Sequence, residues 1–289
     1  MFLKHKEALH DAPNWLANGL QYEVIMGSYA YGVHNKESDK DIYGWAFPPA
    51  SYVFPHQVTG YIQGFGSKPQ GFEQFQKCYS DVDFNIYGAI KYFQLCLENN
   101  PNMIDSLFVP DNCICFITDI GKYVRQNRHK FLCKKAWHTY KGYAYSQLKK
   151  LEIKNPIPGC KRYEIIKKYG YDTKFAYHIV RLIDYAEQIM LTGDLDLQRN
   201  REEWKFIREG GMSIEEIKKK FFEKEKELER HYETSKLPSK MREAEVKEIL
   251  NHCLEENYGS MMNYINVQNE NIKLKNMIYE LKHVIKKYE

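Results

Sequence analysis

Apolar residues along the first hundred positions alternate and cluster as strands require. An apolar run ending at Val24, Ile25 and Met26 predicts a strand over about 21–26, ended by the turn Gly27-Ser28. A short segment closes at Gly32, a polar turn follows, and a second strand is expected over about 39–47, stopped by Pro48-Pro49. Residues 50–78 carry Gly60, Gly64, Gly66 and Gly71 among Gln and Phe and read as an irregular excursion. Residues 79–87 alternate cleanly and predict a third strand. From Gly88 the period becomes helical, with Ile90, Phe93 and Leu97 on one side, until Asn99-Asn100-Pro101-Asn102 breaks it. Residues 103–109 begin another short buried element.

Helical periodicity dominates the remainder. Thr118 is placed to cap one helix, and 137–151 forms the next; Asn155-Pro156-Ile157-Pro158-Gly159 is a loop by composition. The strongest periodicity spans 173–192, where Phe175, Ile179, Leu182, Ile183, Ala186 and Met190 form a core stripe and Gly193 supplies the stop. Ser213 and Glu216 have the spacing of a capping box and open a charged helix running to about 233. A shorter helix covers about 240–255. The last segment sets Val267, Asn271, Leu274, Ile278, Leu281, Ile285 and Tyr288 at alternating four- and three-residue steps. That heptad seam suits a homodimer through the C-terminal helix or docking onto the chain's own domain. These breaks divide the chain into 1–117, 118–235 and a C-terminal helical extension, 236–289.

Composition excludes several classes. No run approaches the ~18 apolar residues of a membrane span, and the first residues lack the apolar core of a signal peptide, so a cytoplasmic protein without membrane partners is expected. The seven cysteines are scattered, and Cys113-x-Cys115 has the wrong spacing for a zinc knuckle, which leaves free thiols as the reading. Charge is uneven: residues 1–121 carry −6, residues 122–181 carry +13 and residues 182–289 carry −3. The basic segment is interleaved with Phe131, Trp137, Tyr140, Tyr143, Tyr145, Tyr163, Tyr169 and Tyr171. Cations and aromatic faces together suit RNA, while solvated lysine faces of amphipathic helices are the plainer alternative.

The chemistry concentrates at two places. Asp39 and Asp41 stand on one face of their strand, and paired carboxylates repel unless a cation lies between them. The preceding Gly27-Ser28 turn offers N–H groups and a hydroxyl to an anion. Asp83, between Val82 and Phe84, is the expected third carboxylate, with Asp81 as its competitor. If the two strands are neighbours, the three acids converge on two Mg²⁺ ions, for which Mn²⁺ can substitute, about 3.5–4 Å apart. On the 173–192 helix, Lys174, His178 and Arg181 recur at i, i+4 and i+7 and suit a nucleotide's phosphates, unless they merely solvate the helix.

Gly27-Ser28, Asp39-x-Asp41 and a lone acid in an apolar strand resemble the motif of the DNA-polymerase-beta-like nucleotidyltransferase superfamily. Gly27-Ser28-Tyr29-Ala30-Tyr31-Gly32, Asn100-Pro101-Asn102-Met103-Ile104-Asp105, Tyr143-Ala144-Tyr145-Ser146-Gln147-Leu148 and Gly170-Tyr171-Asp172-Thr173-Lys174 narrow the resemblance. They point to the predicted nucleotidyltransferase family that includes an RNA-repair-associated member. The resemblance spans roughly residues 20–220. It implies an α+β fold: a small mixed β-sheet core with flanking helices, followed by an α-helical domain, with nucleotide held between them. It further implies that Gly27 and Ser28 hold phosphates, that Asp39, Asp41 and Asp83 hold the metals, and that Lys174, His178 and Arg181 face the cleft. The expected reaction is metal-dependent transfer of NMP from an NTP to a hydroxyl, releasing pyrophosphate. An RNA 3′ end is the expected acceptor; a small molecule, a protein side chain, or a catalytically silent nucleotide- or RNA-binding module are the alternatives.

Overall fold

Five strands form one mixed sheet in the order β3-β4-β2-β1-β5, in a computed structural model that describes residues 11–36, 38–53, 73–152, 161–260 and 273–281. They are β1 (Leu20–Met26), β2 (Lys40–Ala46), β3 (Gln74–Tyr79), β4 (Val82–Gly88) and β5 (Ile114–Ile117). β2 and β4 run parallel, and every other pair is antiparallel. The stretch 79–87, expected as one strand, is instead the end of one strand and the start of the next. Tyr79 closes β3, Ser80 takes a left-handed φ of 56°, and the hairpin reverses at Ser80-Asp81. Both are residue types that suit turns, and as two polar residues in succession they interrupt the alternation, which runs unbroken only from Asp81 onward. The excursion expected over 50–78 therefore includes β3, and its residues 54–72 lie outside the described residues.

The principal helices are α1 (Gly27–Ala30), α2 (Ala89–Leu97), α3 (Pro101–Leu107), α4 (Asp119–Gln126), α5 (Lys135–Glu152), α6 (Lys161–Tyr169), α7 (Thr173–Thr192), α8 (Arg201–Arg208), α9 (Ile214–Thr234) and α10 (Glu243–Tyr258). Their starts are fixed by local chemistry. Asn100 accepts from the Asn102 and Met103 amides at 3.1 and 3.4 Å, with Pro101 in the first turn of α3. Thr118 caps α4, and Ser213 and Glu216 form the capping box of α9. Asp172 caps α7 by accepting from the Lys174 and Phe175 amides, and Gly193, at φ 65°, ends it.

The sheet has two covered faces. Tyr22, Val24, Met26 and Trp45 belong to a cluster that runs through α2 and α3 into the helices. Leu20, Ile42, Phe84 and Ile86 form a smaller cluster on the other side. The centre of the helical half is α7, where every residue from Ile179 to Met190 is buried. α7 thus exceeds the single apolar stripe of its sequence pattern, and its polar side is satisfied by partners: Asn200 and Gln188 donate to Asp184 at 2.7 and 3.1 Å.

Half of the aromatic residues expected to stack on RNA bases are core instead. Phe131, Trp137, Tyr140 and Tyr171 are buried. Periodicity cannot separate an aromatic stripe that packs inward from one that faces a ligand, and α5 turns Trp137, Tyr140 and Ala144 onto the core. Among the described residues, no helix is long and apolar enough to cross a membrane, and six cysteines are free thiols. Cys160, the 155–159 loop and most of the heptad seam lie outside the described residues.

Candidate active site

Met26, Asp41, Asp83 and Cys78 form one row across β1, β2, β4 and β3. Cross-strand neighbours point to the same side of a sheet, so the parallel register places the Asp41 and Asp83 carboxylates next to each other. Asp39 precedes Asp41 by two positions, just ahead of β2, and is exposed. Asp83 pairs across the hairpin with Cys78, and its charge raises the Cys78 thiol above its ordinary pKa. Asp81 sits exposed in the hairpin turn, where its carbonyl accepts from the Lys40 amide at 2.8 Å. Asp83, not Asp81, lines the cleft.

Gly27 explains the turn that enters α1. Its φ is 62°, and a Cβ there would stand 1.9 Å from Asp41 Oδ2. Both the backbone conformation and the approach of the carboxylate require glycine. The carboxylates act on one another as well. Burial pushes the Asp41 carboxyl above its ordinary pKa; Lys174 pulls it back, while the Asp83 and Asp39 charges push it further up.

Lys174 comes from the opposite wall. A cleft of about 710 Å³ separates the sheet from the start of α7, and all eight residues picked out from the sequence line it: Gly27, Ser28, Asp39, Asp41, Asp83, Lys174, His178 and Arg181. That volume is ordinary for a small-molecule site. The three cationic positions nevertheless differ in kind. Lys174 is exposed, His178 is half-buried, and Arg181 is fully buried. The Arg181 guanidinium donates to Asp105 Oδ2 at 2.8 Å and lies 3.7 Å from the Tyr31 ring centroid, forming the floor of the cleft. Its other terminal nitrogen is 3.4 Å from His178 Nδ1. A guanidinium has no acceptor, so Nδ1 accepts and the ring proton sits on Nε2. His178 also stacks on Tyr177, with ring centroids 4.3 Å apart.

Other lining residues had weaker signals or none. Asn102 and Tyr143 fall inside the motifs given above, Tyr177 lies three residues after Lys174 and four before Arg181 on the same helix face, and nothing local singles out Arg208. Arg208 reaches the cleft from α8, donates to the Val33 carbonyl and places its guanidinium 5.4 Å from the Tyr177 ring centroid.

The donor set suits a hard divalent cation. Asp39, Asp41 and Asp83 would supply oxygen ligands, and burial, with a smaller push from the Asp83 and Asp39 charges, raises the Asp41 carboxyl, a cost that a bound ion would offset. Among the described residues, no three His, Cys, Asp or Glu side chains already close around a common point. Mg²⁺ retains several waters and needs few protein ligands, so a closed protein cage is not what it requires.

A sequence profile of the RNA repair pathway DNA polymerase beta family matches residues 4–256. No curated protein sequence matches the chain. Among solved structures, a nucleotidyltransferase-like protein from Exiguobacterium sibiricum 255-15 aligns at 10% sequence identity and a TM-score of 0.29, covering 92% of this chain and 78% of that one.

Proposed function

Because the chain belongs to the RNA repair pathway DNA polymerase beta family, we propose that it transfers NMP from an NTP to the 3′ hydroxyl of RNA and releases pyrophosphate. The observation that carries this reading is the adjacent Asp41–Asp83 pair facing Lys174 and His178 across a single cleft. Asp39, Asp41 and Asp83 would hold Mg²⁺, or Mn²⁺ in its place. The chemistry such a metal would supply when bound there is a lowered pKa for the attacking hydroxyl and neutralised charge on the triphosphate. The Gly27-Ser28 turn offers backbone N–H groups and a hydroxyl to phosphate oxygens. Lys174 adds a positive charge, and the Nε2–H of His178 adds a neutral donor held in one tautomer by Arg181. Asp83, beside Asp41, is the carboxylate assigned to receive the proton of the acceptor hydroxyl.

The position of the basic segment supports RNA as acceptor. α5 places Tyr143 on the cleft and ends in exposed Lys149 and Lys150; α6 places Glu164 and Ile165 on the cleft and carries exposed Lys167 and Lys168. Part of the segment's charge is spent inside the fold, where Lys141 pairs with Glu225 at 3.3 Å. The exposed lysines are the ones available to phosphates.

Incubation with labelled NTPs, Mg²⁺ and RNA is expected to label RNA, with binding that weakens steeply as salt rises. Asp83→Asn should lose about 10³-fold in rate, whereas Asp81→Asn should stay within a few fold of the unaltered protein. Label that appears on protein, or equal losses in both variants, would reject the acceptor or the third-acid assignment respectively. Gly27→Ala should cost about 10²-fold, because an added methyl must push the Asp41 carboxylate aside. Its circular-dichroism spectrum should be unchanged, and full activity would show that the Gly27–Asp41 approach has no bearing on the chemistry.

A further inference from the structure

Gly142 stands in the middle of α5, and a Cβ built there would meet nothing within 4 Å. Packing against the described residues therefore does not call for glycine. Glycine inside a helix is less favourable than alanine, so α5 carries a local penalty that the fold leaves unexplained. Close approach by something outside the chain is a physical reason for it. Lys135, His138, Gly142, Ser146 and Lys149 recur at three- and four-residue steps, so they share one side of α5, and none of them is buried. These five include no carboxylate and no large apolar side chain, which suits a polyanion better than an apolar partner surface.

The face joins two concave sites. Tyr143, next to Gly142, is exposed and lines the catalytic cleft. Towards the start of α5, Lys135 and His138 open onto a separate groove of about 460 Å³, which Tyr232 and Lys240 also line. His138 meets the Tyr232 ring edge-on, with centroids 5.6 Å apart. Lys135 and Lys240 form no ion pair among the described residues, and the carboxylate in the groove, Glu243, is paired with Lys247 at 2.7 Å. The groove is therefore left positively charged. Resting on the reading of RNA as acceptor, we propose that the single strand leading to its 3′ end lies along this face of α5. The terminal nucleotide enters the cleft at Tyr143, the backbone passes closest at Gly142, and an upstream phosphate sits in the groove with Lys135 and Lys240. From Tyr143 to Lys135 the helix axis covers about 12 Å, which roughly four stacked nucleotides span at about 3.4 Å each.

Fluorescence anisotropy of 5′-labelled RNA, read on the full chain without NTP or Mg²⁺, tests the track apart from the chemistry. Affinity is expected to rise from a strand of about three nucleotides to one of about eight, long enough to reach the groove. Lys135→Ala/Lys240→Ala should cost the longer strand about tenfold and remove most of that rise. The same variant should reduce the slope of log K against log salt by about 1.4, the share of two phosphate contacts on a single strand. Gly142→Ala separates a ligand surface from a requirement of the fold. Its melting temperature should rise by about 2 °C, because alanine is the better helix former, while RNA affinity falls about fivefold. Variants that bind RNA as the unaltered protein does would overturn the track and leave the acceptor reading standing. RNA that the unaltered protein does not bind at all would overturn both. A Gly142→Ala protein that melts lower would show that the fold needs the glycine, and would overturn the close approach.

Discussion

Asp41→Asn is expected to raise the melting temperature of the metal-free protein while lowering nucleotidyl transfer by about 10³-fold or more. The two effects share one cause. Burial and the neighbouring Asp83 and Asp39 charges lift the Asp41 carboxyl above its ordinary pKa, although Lys174 opposes the lift. A carboxyl whose pKa is raised on folding is harder to ionise in the native state than in the unfolded one. Its ionisation therefore costs native stability progressively as pH rises past the unfolded pKa and through the folded one. Above the folded-state pKa that cost is present in full, and an amide of the same shape removes it. The gain should be a few degrees, at about 2–4 °C for each kcal/mol relieved. Mg²⁺ should reverse the order: it raises the melting temperature of the unaltered protein and leaves Asp41→Asn unmoved. Because the ion needs the ionised carboxyl, its affinity should fall as pH is lowered through the folded-state pKa of Asp41. Scanning calorimetry with and without Mg²⁺ at two pH values reads all of this. An Asp41→Asn protein that melts lower than the parent without metal would remove the repulsion from the account, and one that still transfers nucleotide would remove the site.

What could be read from the sequence is what is set by local spacing. Asp39 and Asp41 share a face because strands repeat every two residues, and Lys174, His178 and Arg181 share a direction because helices repeat every 3.6. The family resemblance and the mixed-sheet α+β fold both hold. The missed features depend on contacts between distant segments. β5 has four half-buried residues and no alternation strong enough to announce it; it exists because β1 offers it an edge. The β3–β4 hairpin was marked only by the consecutive polar pair Ser80-Asp81, a short interruption beside the strong alternation of 81–86, and its partner strand is set by pairing. Arg208 enters the cleft only because α8 packs beside α7. The basic segment's aromatic residues divide between core and surface, Tyr140 buried and Tyr143 exposed, though they lie three residues apart on one helix. Spacing assigns them to nearly the same face; only the packing around α5 separates them.

Arg181 shows how far a correct placement can differ in role, and it yields the second large effect. Asp105 is wholly buried and gathers four segments at one carboxylate: its own α3, Tyr31 after α1, Tyr140 on α5 and Arg181 on α7. Burial alone raises the Asp105 carboxyl, and the Arg181 guanidinium and the two phenols pull against that rise. Arg181 cannot shed its proton, so removing the carboxylate strands a buried positive charge. Asp105→Ala is therefore expected to cost about 3–5 kcal/mol, seen as a fall in melting temperature of roughly 10 °C. Asp105→Asn should cost less, because its one carbonyl oxygen, placed where Oδ2 stands, still accepts from Tyr31 and Arg181. The double variant Asp105→Ala/Arg181→Met removes both charges and should recover most of the lost stability. It should not recover activity, since His178 Nδ1 loses the donor that fixes its tautomer. If the double variant melts no higher than Asp105→Ala, the ion pair is not what ties the sheet to the helices. If it melts like the parent and also works like it, Arg181 holds up the fold and does nothing for the site.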